Sequence, residues 1–432
     1  MKIQNVKGGY DFLPNEQRKR DYINSVIISN FKKFGFNNIE TPILCYYDIL
    51  SDKYDENNDI LKEIYRLSDQ GNRDLGLRYD LTVPFAKFIA LNKNKISFPF
   101  KRYEISKVFR DGPVKVGRDR EFTQCDADVV GIKGQYIEAE LLSLFANTFK
   151  ELKIDIIIKF NSRKLMTGLI IESGINTLIS EVTTILDKKD KVSKSEFNDM
   201  LINLGLNKEN IEKLNRYFEM DLNKLNITFK DTNNEQIKEG LEELSNLSSY
   251  LKELDLDCAS FDATLARGQN YYTGNVFEVY DKEGRVKGSI AGGGRYDNMI
   301  GNFINDKEEY PTVGMSFGLS SIYEILKNDL EKDNNNIDFY IIPIGTQIES
   351  LKIANKLRNI GYSVDIEMKN KKLKKSLDYA NKEKIPYVII VGEEEITSNL
   401  IVVKNMFNNT NFKLEINNLE KIKDYIKKQK CA

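Results

Sequence analysis

The stretch Phe109-Arg-Asp-Gly-Pro-Val-Lys-Val-Gly-Arg-Asp-Arg-Glu-Phe-Thr-Gln-Cys-Asp-Ala-Asp128 follows the β-like run KRYEISKVFR (101–110) and leads into a second one, REFTQCDADVVG (120–131). Asp111, Gly112 and Pro113 between the two runs are turn formers, so the spacing predicts an antiparallel hairpin. Period-two alternation puts Arg120, Gln124, Asp126 and Asp128 on one face of the second strand. A face bearing arginine, glutamine and two aspartates is too polar for a core, so it either lines a cavity or meets solvent. Arginines on a hairpin suit forked hydrogen bonds to phosphate, and the acidic end suits an ammonium group.

Three further segments concentrate charge, glycine and tyrosine where a structural strand would carry apolar residues. In LGLRYDLTVPFAKF (75–88), Asp80 and Thr82 offer a carboxylate and a hydroxyl near a strand end; they serve a substrate ammonium or cap the helix beginning near Pro84. In FDATLARGQNYYTGNVFEVY (261–280), Arg267 precedes the pair Tyr271 and Tyr272, a combination able to hold a planar polar ring or neutralise anionic charge. In GSIAGGGRYDNMIG (288–301), three glycines ahead of Arg295 permit close backbone approach to a ligand, or a tight turn.

Outward from these segments, residues 17–34 carry apolar positions at helical spacing (Tyr22, Ile23, Val26, Ile27, Phe31) and stop at Gly35. IETPIL (39–44), IDIIIKF (154–160), NVFEVYD (275–281) and KGSIAGGG (287–294) read as strands. PTVGMSFGLSSIYEIL (311–326) reads as a strand turning into a helix. Residues 165–230 are rich in Lys, Asn, Asp and Leu at helical spacing and predict a small helical insertion. The expected fold class is therefore α+β, an antiparallel sheet flanked by helices, over 1–329. A low-complexity joint, KNDLEKDNNNI (327–337), precedes a β-α-β-α-β rhythm over 338–432 that predicts an α/β domain with a largely parallel sheet.

Composition narrows the chemistry. Among 432 residues there is no histidine and no tryptophan, so imidazole bases, His-containing nucleophile relays and His-containing zinc sites are excluded. An apolar fraction of 41% supplies ample core. Cys45, Cys125, Cys258 and Cys431 form no C-x-x-C pair, so no metal site is expected from them, and reduced thiols in a cytoplasm fit best. No segment approaches ~20 uncharged apolar residues, so no membrane span is expected. The net charge is -1, but residues 338–432 carry a surplus of about five positive charges, many at Lys369, Lys371, Lys372, Lys374 and Lys375. That suits a polyanion partner, or a solvated helix face.

In this order, the segments resemble the class II aminoacyl-tRNA synthetases and, within that class, the histidyl-tRNA synthetase family, over nearly the whole chain. KGGYDFLP (7–14) is similar to the family's opening segment, and IETPIL with Pro42 to the class motif 1 at a dimer interface. RYDLT, FRDGPVKVGRDREFTQCDAD and LARGQNYYTG resemble the amino-acid-binding loop, motif 2 and the histidine-specific motif. The terminal domain is similar to the anticodon-binding domain.

The resemblance implies a histidine-tRNA ligase using ATP and Mg²⁺, a homodimer with tRNA(His) as partner. It implies that Asp80, Leu81, Thr82, Gln124 and Asp128 bind histidine, with Tyr271 and Tyr272 flanking the imidazole. Arg110 would contact the α-phosphate and the amino-acid carboxylate, Arg118 and Arg120 would assist in the ATP site, and Arg267 would stabilise charge at the reacting phosphorus. Three departures stand out. Ser320 and Ser321 occupy the place of motif 3's acidic residue and arginine, Asp119 replaces an aromatic, and Gln269 and Asn270 replace the usual Leu-Asp. Loss of that arginine admits a second expectation, a non-catalytic paralogue that senses histidine, such as the regulatory subunit of ATP phosphoribosyltransferase.

Overall fold

The computed structural model describes residues 2–51, 59–114, 119–186, 189, 192–267, 271–304, 308–329 and 336–430. The chain divides into two compact units, 1–330 and 331–432. In the first, the opening helix, Pro14–Lys33, starts on proline and buries Ile23, Val26, Ile27 and Phe31 along one stripe. Gly35 follows with φ 79°, a left-handed conformation that glycine adopts without a steric penalty.

Strands of the first unit are β1 (Asn37–Asn38), β2 (Leu44–Tyr46), β3 (Arg66–Ser68), β4 (Asp74–Leu77), β5 (Phe100–Phe109), β6 (Glu121–Val130), β7 (Ile156–Ser162), β8 (Ala259–Phe261), β9 (Asn275–Asp281), β10 (Ala291–Arg295) and β11 (Thr312–Gly318). Eight form one sheet in the order β1-β5-β6-β11-β10-β9-β7-β8; β2, β4 and β3 form a separate three-stranded sheet. The large sheet is antiparallel except at its two edges, where β1 pairs with β5 and β7 with β8 in parallel. Its helix-covered face buries Phe31, Phe145, Phe149, Phe277 and Phe317 in one cluster. The Phe145 and Phe317 rings meet edge to face at 4.9 Å.

The predicted hairpin is β5 with β6, in the register Arg102↔Asp128 through Phe109↔Glu121. IETPIL departs from its expected strand. Its Thr41 N–H donates to the Glu104 carboxylate rather than to a neighbouring strand, and Pro42 has no N–H to offer. The helical region between β7 and β8 runs beyond 230, from Arg163 to Glu253. Its first and last helices, Arg163–Glu172 and Glu235–Glu253, cross where Gly240 lies against the Leu165 backbone; a Cβ there would stand 2.4 Å from Leu165 N.

The second unit holds β12 (Phe339–Pro343), β13 (Val364–Ile366), β14 (Tyr387–Val391), β15 (Leu400–Asn405) and β16 (Asn411–Glu415), in the order β13-β12-β14-β15-β16. The parallel part ends at β14, and β15 and β16 run antiparallel. This corrects the largely parallel expectation: after β14 the short helix Glu393–Ser398 ends on Asn399 at φ 56° and leads directly into antiparallel β15, and a tight turn with Asn405 Oδ1 accepting from Phe407 N–H at 2.9 Å and Asn409 at φ 56° leads into β16. Among the described residues no helix is long and apolar enough to cross a membrane.

Candidate active site

The open face of the large sheet holds a cavity of about 290 Å³. Its floor is β6, β11 and β10, and the side chains of Gln124, Asp126 and Asp128 rise from β6 as the alternation predicted. The floor is cut away beside them. Opposite Asp128 stands Gly314, where a Cβ would lie 2.0 Å from Asp128 Oδ1. On β10, a Cβ at Gly292 would lie 2.1 Å from Arg267 Nη1, and one at Gly294 would lie 2.8 Å from the Tyr272 ring. The glycine run thus lets an arginine and a tyrosine of the chain itself lie flat on the backbone, where the sequence had suggested a ligand or a tight turn.

One end of the cavity is acidic. Asp80, Asp126 and Asp128 are each under 5% exposed. Asp80 Oδ1 accepts from Val83 N–H at 3.0 Å, so it caps the helix Thr82–Asn92 while also lining the cavity. Asp128 lies between two partners: the Tyr296 hydroxyl donates to Oδ1, and Arg102 Nη2 stands 2.6 Å from Oδ2. Burial and the neighbouring Asp128 push the Asp126 carboxyl up to about 7 against the pull of Arg102. Asp128 is also raised, by burial, with Arg102 opposing. Gln124 Oε1 and Asp126 Oδ1 are buried and accept no hydrogen bond within the described chain, which marks them as positions for a ligand's donors.

Basic and aromatic groups form the rest of the wall. Arg110 Nε donates to the Tyr79 carbonyl at 3.0 Å, and its guanidinium sits 5.0 Å above the Phe122 ring. Arg267 Nη1 pairs with Glu278 Oε1 at 3.2 Å. Tyr271 and Tyr272 are 4.7 Å apart, and Tyr271 meets Tyr296 edge to face at 5.7 Å. An acidic end for an ammonium, aromatic walls for a ring and two guanidiniums for anionic oxygens suit an amino acid whose carboxylate reacts with a phosphate.

Of the residues singled out from sequence, Asp80, Thr82, Arg110, Gln124, Asp128, Arg267, Tyr271 and Tyr272 line this one cavity. Leu81 is fully buried, and its carbonyl accepts from Arg102 at 3.3 Å. Arg120 stands apart: it pairs with Asp111 at 3.0 Å and is not in the lining. Arg118, Gln269 and Asn270 lie outside the described residues. Ser320 and Ser321 open the helix Leu319–Leu326. Sequence reasoning assigned no role to Tyr296, Arg102 or Glu278, and none to Asp126 beyond its place at the acidic end. Asp126 shared the polar face already identified. Arg102 was findable by counting hairpin register back from the turn, which sets it opposite Asp128.

Comparison with known proteins identifies the family. The family model described as histidyl-tRNA synthetase matches residues 8–322, and that described as anticodon binding domain matches 338–429. The chain is 44% identical over 423 residues to histidine–tRNA ligase 1 of Bacillus anthracis, covering 97% of this chain and 99% of that protein. It is 42% identical to histidine–tRNA ligase 2 of Shouchella clausii, covering 93% and 96%. The crystal structure of histidyl-tRNA synthetase from Nostoc sp. PCC 7120 superposes with a TM-score of 0.84 at 28% identity, covering 98% of this chain and all of that one. An ATP phosphoribosyltransferase regulatory subunit/histidyl-tRNA synthetase from Bacillus halodurans shares the fold at 20% identity, with a TM-score of 0.74 over 90% of this chain and 98% of that one. With matching models over both units and relatives aligned from end to end, the chain belongs to the histidyl-tRNA synthetase family.

Proposed function

We infer that this protein is a histidine-tRNA ligase that activates histidine with ATP and passes it to the 3′ end of tRNA(His). The observation carrying this reading is the polarity of the cavity, with carboxylates at one end and Arg110 and Arg267 presented to the same space. In activation the substrate carboxylate attacks the α-phosphorus of ATP, a bond to the histidyl oxygen forms and pyrophosphate leaves. No protein nucleophile or imidazole is required, which fits a chain without histidine. The two guanidiniums hold the charge that spreads over the phosphoryl oxygens, and the aromatic walls orient the ring. In transfer, the terminal ribose hydroxyl attacks the histidyl carbonyl and AMP leaves.

Among the described residues no group of three or more carboxylates or thiols converges to hold a metal. A Mg²⁺ accompanying ATP would therefore take the nucleotide's phosphates as its main ligands and neutralise their charge. Arg120, on the hairpin beside the cavity, and Arg118 are assigned to the ATP site through the family resemblance alone. A homodimer through the 39–46 region is supported by the exposed apolar residues Ile43, Leu44, Tyr46 and Leu67. Cytoplasmic residence is supported by free Cys45, Cys125 and Cys258.

The paralogue reading draws on Ser320 and Ser321. Arg267 with its paired tyrosines in the cavity and the terminal anticodon-binding unit favour the ligase. The deciding experiment is histidine-dependent exchange of labelled pyrophosphate into ATP, followed by charging of tRNA(His). Histidine binding without exchange would establish the sensor instead.

A further inference from the structure

Arg267 stands at the end of a loop whose backbone is tied to the sheet at several points before it. Asn161, 1% exposed near the end of β7, donates through Nδ2 to the carbonyls of Ala263 and Leu265, both at 3.0 Å. Asp262 divides its oxygens: Oδ1 accepts from the Thr264 N–H at 2.9 Å and closes a turn, and Oδ2 pairs with Lys159 Nζ at 2.8 Å. The loop therefore delivers Arg267 from a fixed base. Its side chain is long, and an arginine keeps its rotamer freedom unless something holds the tip.

The tip is held by Glu278. In the sheet register Glu278 of β9 stands opposite Gly292 of β10 on one side and Lys159 of β7 on the other. Gly292 brings no side chain, and the Arg267 guanidinium occupies the space above it, with Nη1 3.2 Å from Glu278 Oε1. Lys159, the cross-strand neighbour, is engaged with Asp262 in the loop. The other carboxylate oxygen, Oε2, accepts from the hydroxyl of Tyr280, two places along the same face of β9. A carboxylate fixed at one oxygen presents the other in a defined direction. Glu278 is not in the lining of the cavity, whereas Arg267 is, so any effect of Glu278 on a bound substrate passes through Arg267.

We propose that Glu278 is a positioning residue: with Tyr280 behind it, it holds the Arg267 guanidinium over Gly292 before substrate arrives, so that charge developing on the reacting phosphate meets a donor already in place. This rests on the ligase reading of the cavity and adds to it a residue that touches no substrate. A pre-oriented donor needs no reorganisation at the moment of reaction. Its loss falls on turnover and spares histidine affinity, because Asp80, Gln124 and Asp128 at the acidic end are untouched.

The test compares wild type, E278A and E278Q in calorimetric histidine binding, in pyrophosphate exchange, and in the rate at which phenylglyoxal modifies Arg267, read by mass spectrometry of the peptide that contains it. In E278A the kcat of exchange falls about a hundredfold while the histidine Kd changes less than about threefold. Arg267 is modified at least about fivefold faster there, because its guanidinium has lost a charge-assisted partner. E278Q keeps an acceptor without the charge and lies between, with turnover down about tenfold. In an R267A background E278A adds less than about threefold, since two residues acting as one unit are not additive. Near-normal or raised turnover in E278A overturns the proposal, as does an undiminished further loss on top of R267A. Should E278A fail to fold, wild-type turnover and modification in E278Q overturn it equally. Modification needs no turnover, so the two readings separate: no exchange by the wild type, with faster modification in E278A, strikes the ligase reading alone, and equal modification with wild-type exchange intact strikes this inference alone.

Discussion

Replacing Gly292→Ala adds one methyl group to β10 and should disable the chemistry while sparing most of the fold. The new Cβ would stand 2.1 Å from Arg267 Nη1 and 2.8 Å from the Phe277 carbonyl oxygen. The carbonyl belongs to β9, paired with β10 along Ala291↔Val279 through Gly294↔Val276, and cannot withdraw without loosening that ladder. The guanidinium can move, and must retreat by more than about 1 Å to reach ordinary van der Waals contact. A misplacement of that size costs on the order of 10²-fold in rate, or roughly 3 kcal/mol of transition-state stabilisation. The backbone strain should cost ~1–3 kcal/mol of stability. Pyrophosphate exchange measures the first quantity, and urea unfolding the second. The expected pattern is a fall in kcat about a hundredfold with histidine affinity reduced far less. Turnover within about threefold of wild type, in a protein that melts normally, would refute the role given to the position of Arg267.

Three other outcomes follow from the geometry. Glu138 receives Arg295 through Nε at 2.7 Å and Nη2 at 2.9 Å in a buried pair, so Glu138→Ala should lower stability by ~3 kcal/mol in urea unfolding by removing the guanidinium's buried two-point partner and leaving it only the half-exposed Asp297 at 3.2 Å as counter-charge. Asp126, raised to about 7 in the fold, contributes stability below its unfolded value that is lost as pH rises through 7. Asp126→Asn should therefore stabilise the ligand-free protein at pH 8 by on the order of 2 kcal/mol, with the advantage shrinking at pH 5.5; an advantage that grows toward acid would reverse the sign of the argument. Ser321→Arg, at the first turn of Leu319–Leu326, should lower the KM for ATP several-fold if the γ-phosphate lacks a guanidinium, and an unchanged KM would show that another group serves.

Much of this was legible because local and tertiary preferences agreed. The hairpin of β5 and β6 needed only two alternating runs and a turn of Asp111, Gly112 and Pro113. Its register then brought Gln124, Asp126 and Asp128 to one face, and the glycines of β10 marked where other side chains would lie. What remained hidden depended on contacts distant in sequence. IETPIL has strand composition, yet Thr41 bonds to Glu104, a partner 63 positions away. The helix Glu235–Glu253 owes its place to Gly168 and Gly240, which are small only because another helix crosses there. Arg120 shares a strand face with Gln124, but Asp111 across the turn captures its guanidinium. Alternation predicts the side of a strand and leaves the reach of a long side chain open.

Arg78 shows how firmly the region around Thr41 is held. Its guanidinium donates to the Thr41 carbonyl at 2.6 Å, the Thr41 hydroxyl at 2.9 Å, Glu104 at 2.9 Å and the Lys107 carbonyl at 2.9 Å, and also to the Ser106 hydroxyl. Any local opening of residues 39–43 would leave the buried Arg78–Glu104 pair without its hydrogen bonds to the Thr41 amide, hydroxyl and carbonyl. Fraying of this segment therefore costs several buried, charge-assisted hydrogen bonds at once. The Thr41 amide should exchange its hydrogen with solvent as slowly as the centre of the large sheet, so a stretch that looks like a connecting loop in the chain trace behaves as part of the core.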